Sequence, residues 1–151
     1  MAEFARSTTI DAPVAQVWAA LDDIATIEQW NPGVRESRLL GSQPTGEGAA
    51  RFCDLGGRNY LHEEVVHHDP ERAITMRITE TNLPFQAADI RFSLEPAGDG
   101  TRVTVSPVYR LRFGLLGSAL DASYVRRTYS RGMAALLAGL KQHVEGGGAA
   151  G

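Results

Sequence analysis

Cysteine is almost absent from this chain. Among 151 residues only Cys53 occurs, so no internal disulfide can staple the fold, and a reducing compartment suits it. No apolar run approaches the ~18 residues of a membrane-spanning helix. Residues 1–13 hold no apolar core of the kind that marks a secretory leader, so cytoplasmic residence is the expectation. Charge of one sign is lacking as well: 15 Lys and Arg stand against 18 Asp and Glu, a formal net charge of −3. Such a balance gives no electrostatic footprint for nucleic acid, and aromatic residues are not interleaved with basic ones. Arg126, Arg127 and Arg131 form a local basic patch that reads as a solvated helix face. Neither a Gly-x-Ser-x-Gly elbow nor a phosphate loop occurs; Gly41, Gly46 and Gly48 belong to a hairpin. Cys53 has no helix start or basic pair nearby to lower its pKa and reads as a structural thiol.

One long helical pattern is present. Leu115, Ala119, Ala122, Val125, Tyr129, Met133, Leu136, Leu140 and Val144 recur at steps of three or four and draw an apolar stripe. Asp121, Arg126, Arg127, Arg131, Lys141 and Gln142 occupy the other side. At 1.5 Å per residue this helix is roughly 45 Å long, enough to cross a small sheet. Gly132 and Gly139 lie inside it, each costing about 1 kcal/mol relative to Ala. They imply either close approach to a sheet or space left for a guest.

The rest of the chain is punctuated differently. Residues 3–10 are Thr-rich and predict a strand. Asp11 and Pro13 mark a helix start, Asp as cap and Pro in the first turn; Val14, Val17, Trp18 and Leu21 then repeat amphipathically. A second short helix, Ile24 to Trp30, is stopped by Asn31-Pro32-Gly33. Turns at short spacing follow, predicting antiparallel strands over Val34–Leu40, Ala49–Asp54, Arg58–His68, Ala73–Glu80, Ala87–Glu95 and Arg102–Arg112. Asp99-Gly100 supplies a hairpin signal. Ile74, Met76 and Ile78 alternate with Thr75, Arg77 and Thr79. Ile90, Phe92 and Leu94, then Val103 and Val105, do the same, which gives a sheet with one dry face and one wet face. The expectation is one α+β domain over residues 1–145, with a flexible tail at 146–151.

Four motifs, in order, carry a family resemblance: Ile10-Asp-Ala-Pro-Val-Ala-Gln-Val-Trp18, Trp30-Asn-Pro-Gly-Val34, Glu63-Glu-Val-Val-His-His-Asp-Pro-Glu-Arg72, and Phe92 to Val103. Together they resemble the polyketide cyclase/dehydrase branch of the START-like helix-grip (SRPBCC) superfamily over nearly the whole chain. The resemblance implies a curved seven-stranded antiparallel sheet wrapped around the long C-terminal helix. Two short helices lie between strands 1 and 2, and a cavity commonly lies between sheet and helix. The motifs are architectural, and relatives range from cyclases to lipid carriers, so function does not follow from them. Composition adds support for a cavity. Five Phe and two Trp are few, while Ala49, Ala50, Ala87, Ala88, Ala119, Ala122, Gly132 and Gly139 are small, so a concave sheet is hard to fill to native density.

The densest chemical cluster is His62-Glu63-Glu64-Val65-Val66-His67-His68-Asp69. Its spacing argues against a metal. A zincin pairs two His four apart on a helix, whereas His62 and His67 sit on an expected strand and face opposite ways. His62 and His68 share a face but lie about 20 Å apart at roughly 3.3 Å per residue. No metal ligand set and no cofactor is expected. One carboxylate should point into the cavity. Alternation does not decide between Glu63 and Glu64, but Glu63 has Leu61 and Val65 on its face, and it matches the glutamate often seen in the relatives' equivalent hairpin. Desolvation would raise its pKa unless it meets a cation or hydroxyl. The bland reading is a half-exposed glutamate paired with an arginine on the next strand. Tyr109, unless a bulge at Pro107 shifts it, and Tyr129 on the helix stripe are further polar handles. Trp30 reads equally as pocket rim or helix-end anchor.

The expected function is therefore binding of a small hydrophobic or amphipathic ligand, lipid- or polyketide-like, between sheet and helix. Its walls would be Trp30, Leu61, Glu63, Met76, Ile78, Ile90, Phe92, Val105, Tyr109, Val125, Tyr129 and Met133. One alternative is a polyketide cyclase or dehydratase with Glu63, Tyr109 or Tyr129 as acid/base. The other is a protein-interaction module. Whether the chain forms a homodimer is left open by the sequence.

Overall fold

The structure, a computed structural model, describes residues 1–112 and 118–147, with side chains of the last helix from Ser123 onward. The order is β1 (Ala2–Glu3), β2 (Arg6–Ile10), α1 (Val14–Asp22), a 3₁₀ helix (Ile24–Gln29), β3 (Glu36–Leu40), β4 (Ala50–Gly56), β5 (Asn59–Asp69), β6 (Ala73–Thr81), β7 (Phe85–Ala97), β8 (Gly100–Leu111) and α2 (Ser118–Glu145). Every adjacent pair in the sheet is antiparallel, in the order β1-β8-β7-β6-β5-β4-β3, with β2 also on β8. Since β1 and β2 follow one another along the same edge of β8, the curved sheet is seven strands wide. This is the α+β helix-grip fold. Leu115 of the expected stripe and residues 148–151 of the expected tail lie outside the described residues, as do the side chains of Ala119, Asp121 and Ala122.

The break between β1 and β2 has a cause in the sequence. Pro107 pairs with Ile90 on one side, and its carbonyl accepts from the Phe4 N–H on the other. In an antiparallel ladder a residue's N–H and C=O point to the same neighbour. The N–H that proline lacks therefore faces Phe4–Ala5, where the edge strand is interrupted. No bulge forms there: Val103, Val105, Pro107 and Tyr109 all point inward.

The dry face follows the alternation. Ile74, Met76, Ile90, Phe92, Leu94, Val103 and Val105 are buried against Met133, Leu136, Leu137, Leu140 and Val144 of α2. Each such Leu or Val contributes about 1.5–3 kcal/mol of apolar burial. The far end of α2 is tied to the β2–α1 corner. Lys141 Nζ donates to the Thr9 carbonyl at 2.6 Å, and Glu145 Oε2 accepts from the Asp11 N–H at 2.7 Å.

Three local expectations are corrected. Asp11 does not cap α1. Pro13, extended at ψ 155°, is the N-cap, with no side-chain hydrogen bond, so Asp11 stands two residues outside. In the β7–β8 hairpin the left-handed residue is Gly98 at φ 60°, not Gly100. Gly100 is required because a Cβ there would run into the Ile10 carbonyl. Finally, the register of β5 shifts between His62 and Glu63 and again between Val65 and His67. The second bulge turns His68 to the helix side, where it packs edge-on to Trp18 and its Nε2 meets Asp22 Oδ1 at 2.8 Å. His62 stays on the outer face beside Phe52 and Tyr60. The two histidines thus do not share a face.

Candidate functional site

A cavity of about 600 Å³ lies between the inner face of β4–β7 and the middle of α2. Its floor is set by strand parity. Arg51 and Cys53 on β4 point inward, directly opposite Glu63 and Leu61 on β5. Glu63, not Glu64, is the inward carboxylate, and it is 4% exposed. Arg51 Nε donates to Glu63 Oε1 at 2.9 Å, and Arg51 Nη1 donates to the Ile24 carbonyl at 3.1 Å. The Cys53 thiol also reaches Glu63 Oε1, at 3.9 Å. An arginine does pair with Glu63, but it comes from the preceding strand β4 rather than the next one, and the pair is buried rather than half-exposed. Burial pushes the Cys53 thiol up to about 12, with Arg51 opposing and Glu63 adding to the shift, so the group is a neutral thiol.

Tyr129 closes the floor from the helix. Its ring is clamped by Phe4, Phe85 and Tyr109, with centroids 5.4, 5.3 and 5.2 Å away. Among the described residues its buried hydroxyl has no hydrogen-bond partner. Burial first, then the nearby Glu63 carboxylate and Tyr109, raises its pKa well above the ordinary phenol range, so it is a neutral donor.

The cavity brings together eight of the expected wall residues: Leu61, Glu63, Ile78, Ile90, Phe92, Val125, Tyr129 and Met133. It excludes four. Trp30 is an anchor, buried at 6% exposure against Leu21, Ile74 and Met76, with its carbonyl pressed on Gly139. Met76 and Val105 lie in the solid core, and Tyr109 stands behind Tyr129 in the aromatic cluster. The two helix glycines divide the two readings between them. A Cβ at Gly139 would meet the Trp30 carbonyl, whereas one at Gly132, which lines the cavity, would meet nothing within 4 Å. The small residues of the sheet do not create the space. Ala49 and Ala88 are buried elsewhere and Ala87 is exposed.

Arg51 was missed, although Ala49, Arg51, Cys53 and Leu55 share a parity that places it inward. The mouth residues Leu83, Pro84, Tyr124 and Thr128 were missed too. They come from a turn and from the flank of the helix stripe, where no periodicity marks them. Among the described residues no group of three or more His, Cys, Asp or Glu is placed to hold a metal ion, and no helix is long and apolar enough to cross a membrane.

A curved sheet gripping a terminal helix around a cavity defines a START-like helix-grip protein. The chain belongs to the family described as polyketide cyclase / dehydrase and lipid transport, which matches residues 1–145. Solved structures agree on the fold. A protein from Thermus thermophilus is 21% identical, covering 95% of this chain and 97% of its own, with a TM-score of 0.79. A START superfamily protein from Mycobacterium smegmatis is 17% identical, at 95% and 97% coverage and a TM-score of 0.79. The Zhui aromatase/cyclase from a Streptomyces species is 19% identical, at 95% and 93% coverage and a TM-score of 0.75. No curated protein matches by sequence.

Proposed function

We propose that this protein binds a small hydrophobic or amphipathic molecule in the cavity beneath α2. The observation that carries the reading is the cavity itself, about 600 Å³ lined mainly by apolar side chains. At the ~30 Å³ that one water takes up in the liquid, the space corresponds to about 20 non-hydrogen atoms. Leu61, Ile78, Ile90, Phe92, Val125 and Met133 supply apolar contact, and the Arg51–Glu63 pair supplies a polar point for orientation.

The family also includes enzymes, and a catalytic reading would have Glu63 or Tyr129 move protons. Effective acid/base groups have a pKa near the working pH. The Tyr129 hydroxyl is pushed far above it, and the Glu63 carboxylate is held by Arg51. Both features favour holding a molecule over transforming it.

Native mass spectrometry of protein purified from its own host tests the reading. A co-purifying hydrophobic adduct is expected, and it should be weakened in Gly132→Trp, which adds an indole at the exposed edge of the cavity lining. Protein that is empty in repeated preparations counts against a carrier. A Glu63-dependent change in a polyketide-like substrate would move the assignment to the enzyme.

A further inference from the structure

We infer that the cavity mouth docks on an anionic bilayer surface, through which the hydrophobic guest is exchanged. This rests on the reading of the cavity as a ligand site and names the partner its opening faces. The net charge of −3 is unevenly placed. In an antiparallel sheet successive connections fall at opposite ends. Residues 30–35, 57–58, 82–84 and residue 112 lie at the end where the cavity opens, and they supply Asn31, Gly33, Val34, Leu83 and Pro84 to its lining. Within them stand Arg35, Arg58 and Arg112 and no carboxylate. The strand carboxylates of that end, Glu36, Asp54 and Glu80, share the outer face of the sheet with Phe52 and His62, away from the helix side. Residues 11–13, 41–49, 70–72 and 98–99 lie at the other end. They hold Asp11, Glu47, Glu71 and Asp99 against Arg72 alone. The 11 residues of β5 set the two poles roughly 35 Å apart, well beyond the ~10 Å over which exposed charges act at about 0.1 M salt. A surface that meets the mouth therefore feels the arginines and not the acidic pole.

The rim suits a yielding surface. It is made of two hairpin tips and the exposed flank of a helix. Asn82 ties the tips together: its Nδ2 donates to the Arg58 carbonyl at 2.9 Å, and its Oδ1 accepts from the Tyr60 N–H at 3.0 Å. From the other side, the Arg112 N–H donates to the Pro84 carbonyl at 2.9 Å and its Nε to the Phe85 carbonyl at 3.0 Å. Arg58 and Arg112 thus flank the apolar pair Leu83–Pro84. On the helix side of the opening, Tyr124 is 69% exposed, and exposed Arg127 stands beside the lining residue Thr128. Among the described residues none of Arg35, Arg58, Arg112 and Arg127 takes part in an ion pair. Apolar tips enter the edge of the hydrocarbon, a tyrosine rests at headgroup level, and unpaired arginines meet lipid phosphates. A folded acidic partner would instead need a packed, shape-complementary patch, which two tips around an open hole do not offer.

Co-sedimentation of the full chain with phosphatidylcholine vesicles, with and without about 30% phosphatidylglycerol, tests this at about 0.05 M and 1 M salt. Binding to the anionic vesicles at low salt is expected, with its loss at high salt or when the anionic lipid is left out. Removing one arginine contact should weaken it by about fivefold, so Arg58→Gln and Arg127→Gln together should cost roughly twentyfold. Arg72→Gln, at the acidic pole, should bind as the parent does. No binding to anionic vesicles at low salt overturns the inference and turns the search to an acidic protein. Equal binding to neutral vesicles overturns it too, as does parental affinity in the Arg58→Gln/Arg127→Gln variant. Fluorescence of 1-pyrenebutanol, titrated without vesicles, keeps the two readings apart, because parent and double variant should hold the probe equally. Failure of the vesicle arm with the probe still held strikes the docking face alone. If the parent does not hold the probe, the cavity reading fails and this inference with it.

Discussion

The same substitution at two glycines seven residues apart on α2 should change stability in opposite directions. Glycine in a helix interior costs about 1 kcal/mol relative to alanine, so replacement by Ala offers the same gain at Gly132 and Gly139. At Gly132 the new methyl meets nothing within 4 Å and the gain survives. Gly132→Ala should stabilise by about 0.5–1 kcal/mol, raising Tm by roughly 1–4 °C in a chain of this size. At Gly139 the methyl lands on the Trp30 carbonyl oxygen and comes within 3.1 Å of Pro32 Cδ. Overpacking costs about 1–3 kcal/mol, and the upper end applies because the obstacle is backbone. That backbone is held in place. The Trp30 and Asn31 N–H groups both donate to the Ile27 carbonyl, at 3.1 and 2.8 Å. After the propensity gain, Gly139→Ala should lose about 1–2 kcal/mol, or roughly 2–8 °C. Urea denaturation followed by circular dichroism reads both variants, with unchanged m-values showing that the folded state is conserved. A Gly139→Ala protein as stable as its parent would refute the packing account of that glycine, and with it the placement of Trp30 as an anchor.

Three further outcomes follow from the buried groups and the helix end. Arg51→Met leaves Glu63 buried and unpaired and should destabilise by about 3–5 kcal/mol; adding Glu63→Leu should restore most of that loss, a coupling read by a double-mutant denaturation cycle. The Glu145 carboxyl is held below its ordinary pKa, first by the Asp11 N–H and then by Lys141. Its stabilisation is therefore present above the unfolded carboxyl pKa of about 4.3 and disappears as the pH falls through the lower folded value. Denaturation midpoints across that acid range should decline less steeply in Glu145→Gln than in the parent. Cys53, raised to about 12, should resist a disulfide reagent at about pH 8 in folded protein and react at the full thiolate rate in urea; prompt labelling of the native state would contradict its burial.

What could be read from the sequence, and what could not, divides along a physical line. Periodicity reports repeated placement, so it found the strands β6 to β8, the inward rows Ile74–Met76, Ile90–Phe92–Leu94 and Val103–Val105, and the buried turns of α2. It is blind to a single inserted residue. The bulge between Val65 and His67 reverses the face of His68, and nothing in Val-Val-His-His announces it, since the extra residue costs no hydrophobic position. It is blind as well to a buried ion, because an arginine on an inward parity looks like a solvated exception until its partner is seen. Arg51 was nonetheless recoverable. Ala49, Cys53 and Leu55 mark the inward parity of β4, and once Glu63 is placed inward on the next strand an opposite charge on that row is what makes its burial tolerable.

The cavity itself was the hardest feature to anticipate, and the reason lies in where its emptiness comes from. Counting small residues assigned the space to alanines, yet of those named whose side chains are described only Gly132 lines it. The walls are Leu, Ile, Phe and Met of ordinary size. The sheet's curvature holds them apart, and Gly139 brings α2 close toward its C-terminal end, against Trp30. A helix pinned at its C-terminal half by Gly139, Lys141 and Glu145 touches β7 at its middle through Tyr129 and Phe85 and leaves space over the inner face of β4 and β5. On this account Gly139 serves the cavity from outside it, by fixing the point about which the helix stands away. Enlarging that contact with Gly139→Ala should therefore alter the binding of a cavity probe such as 1-pyrenebutanol, although residue 139 does not line the cavity. Affinity within about twofold of the parent in a variant that has lost stability would show that the helix position is set elsewhere along its length.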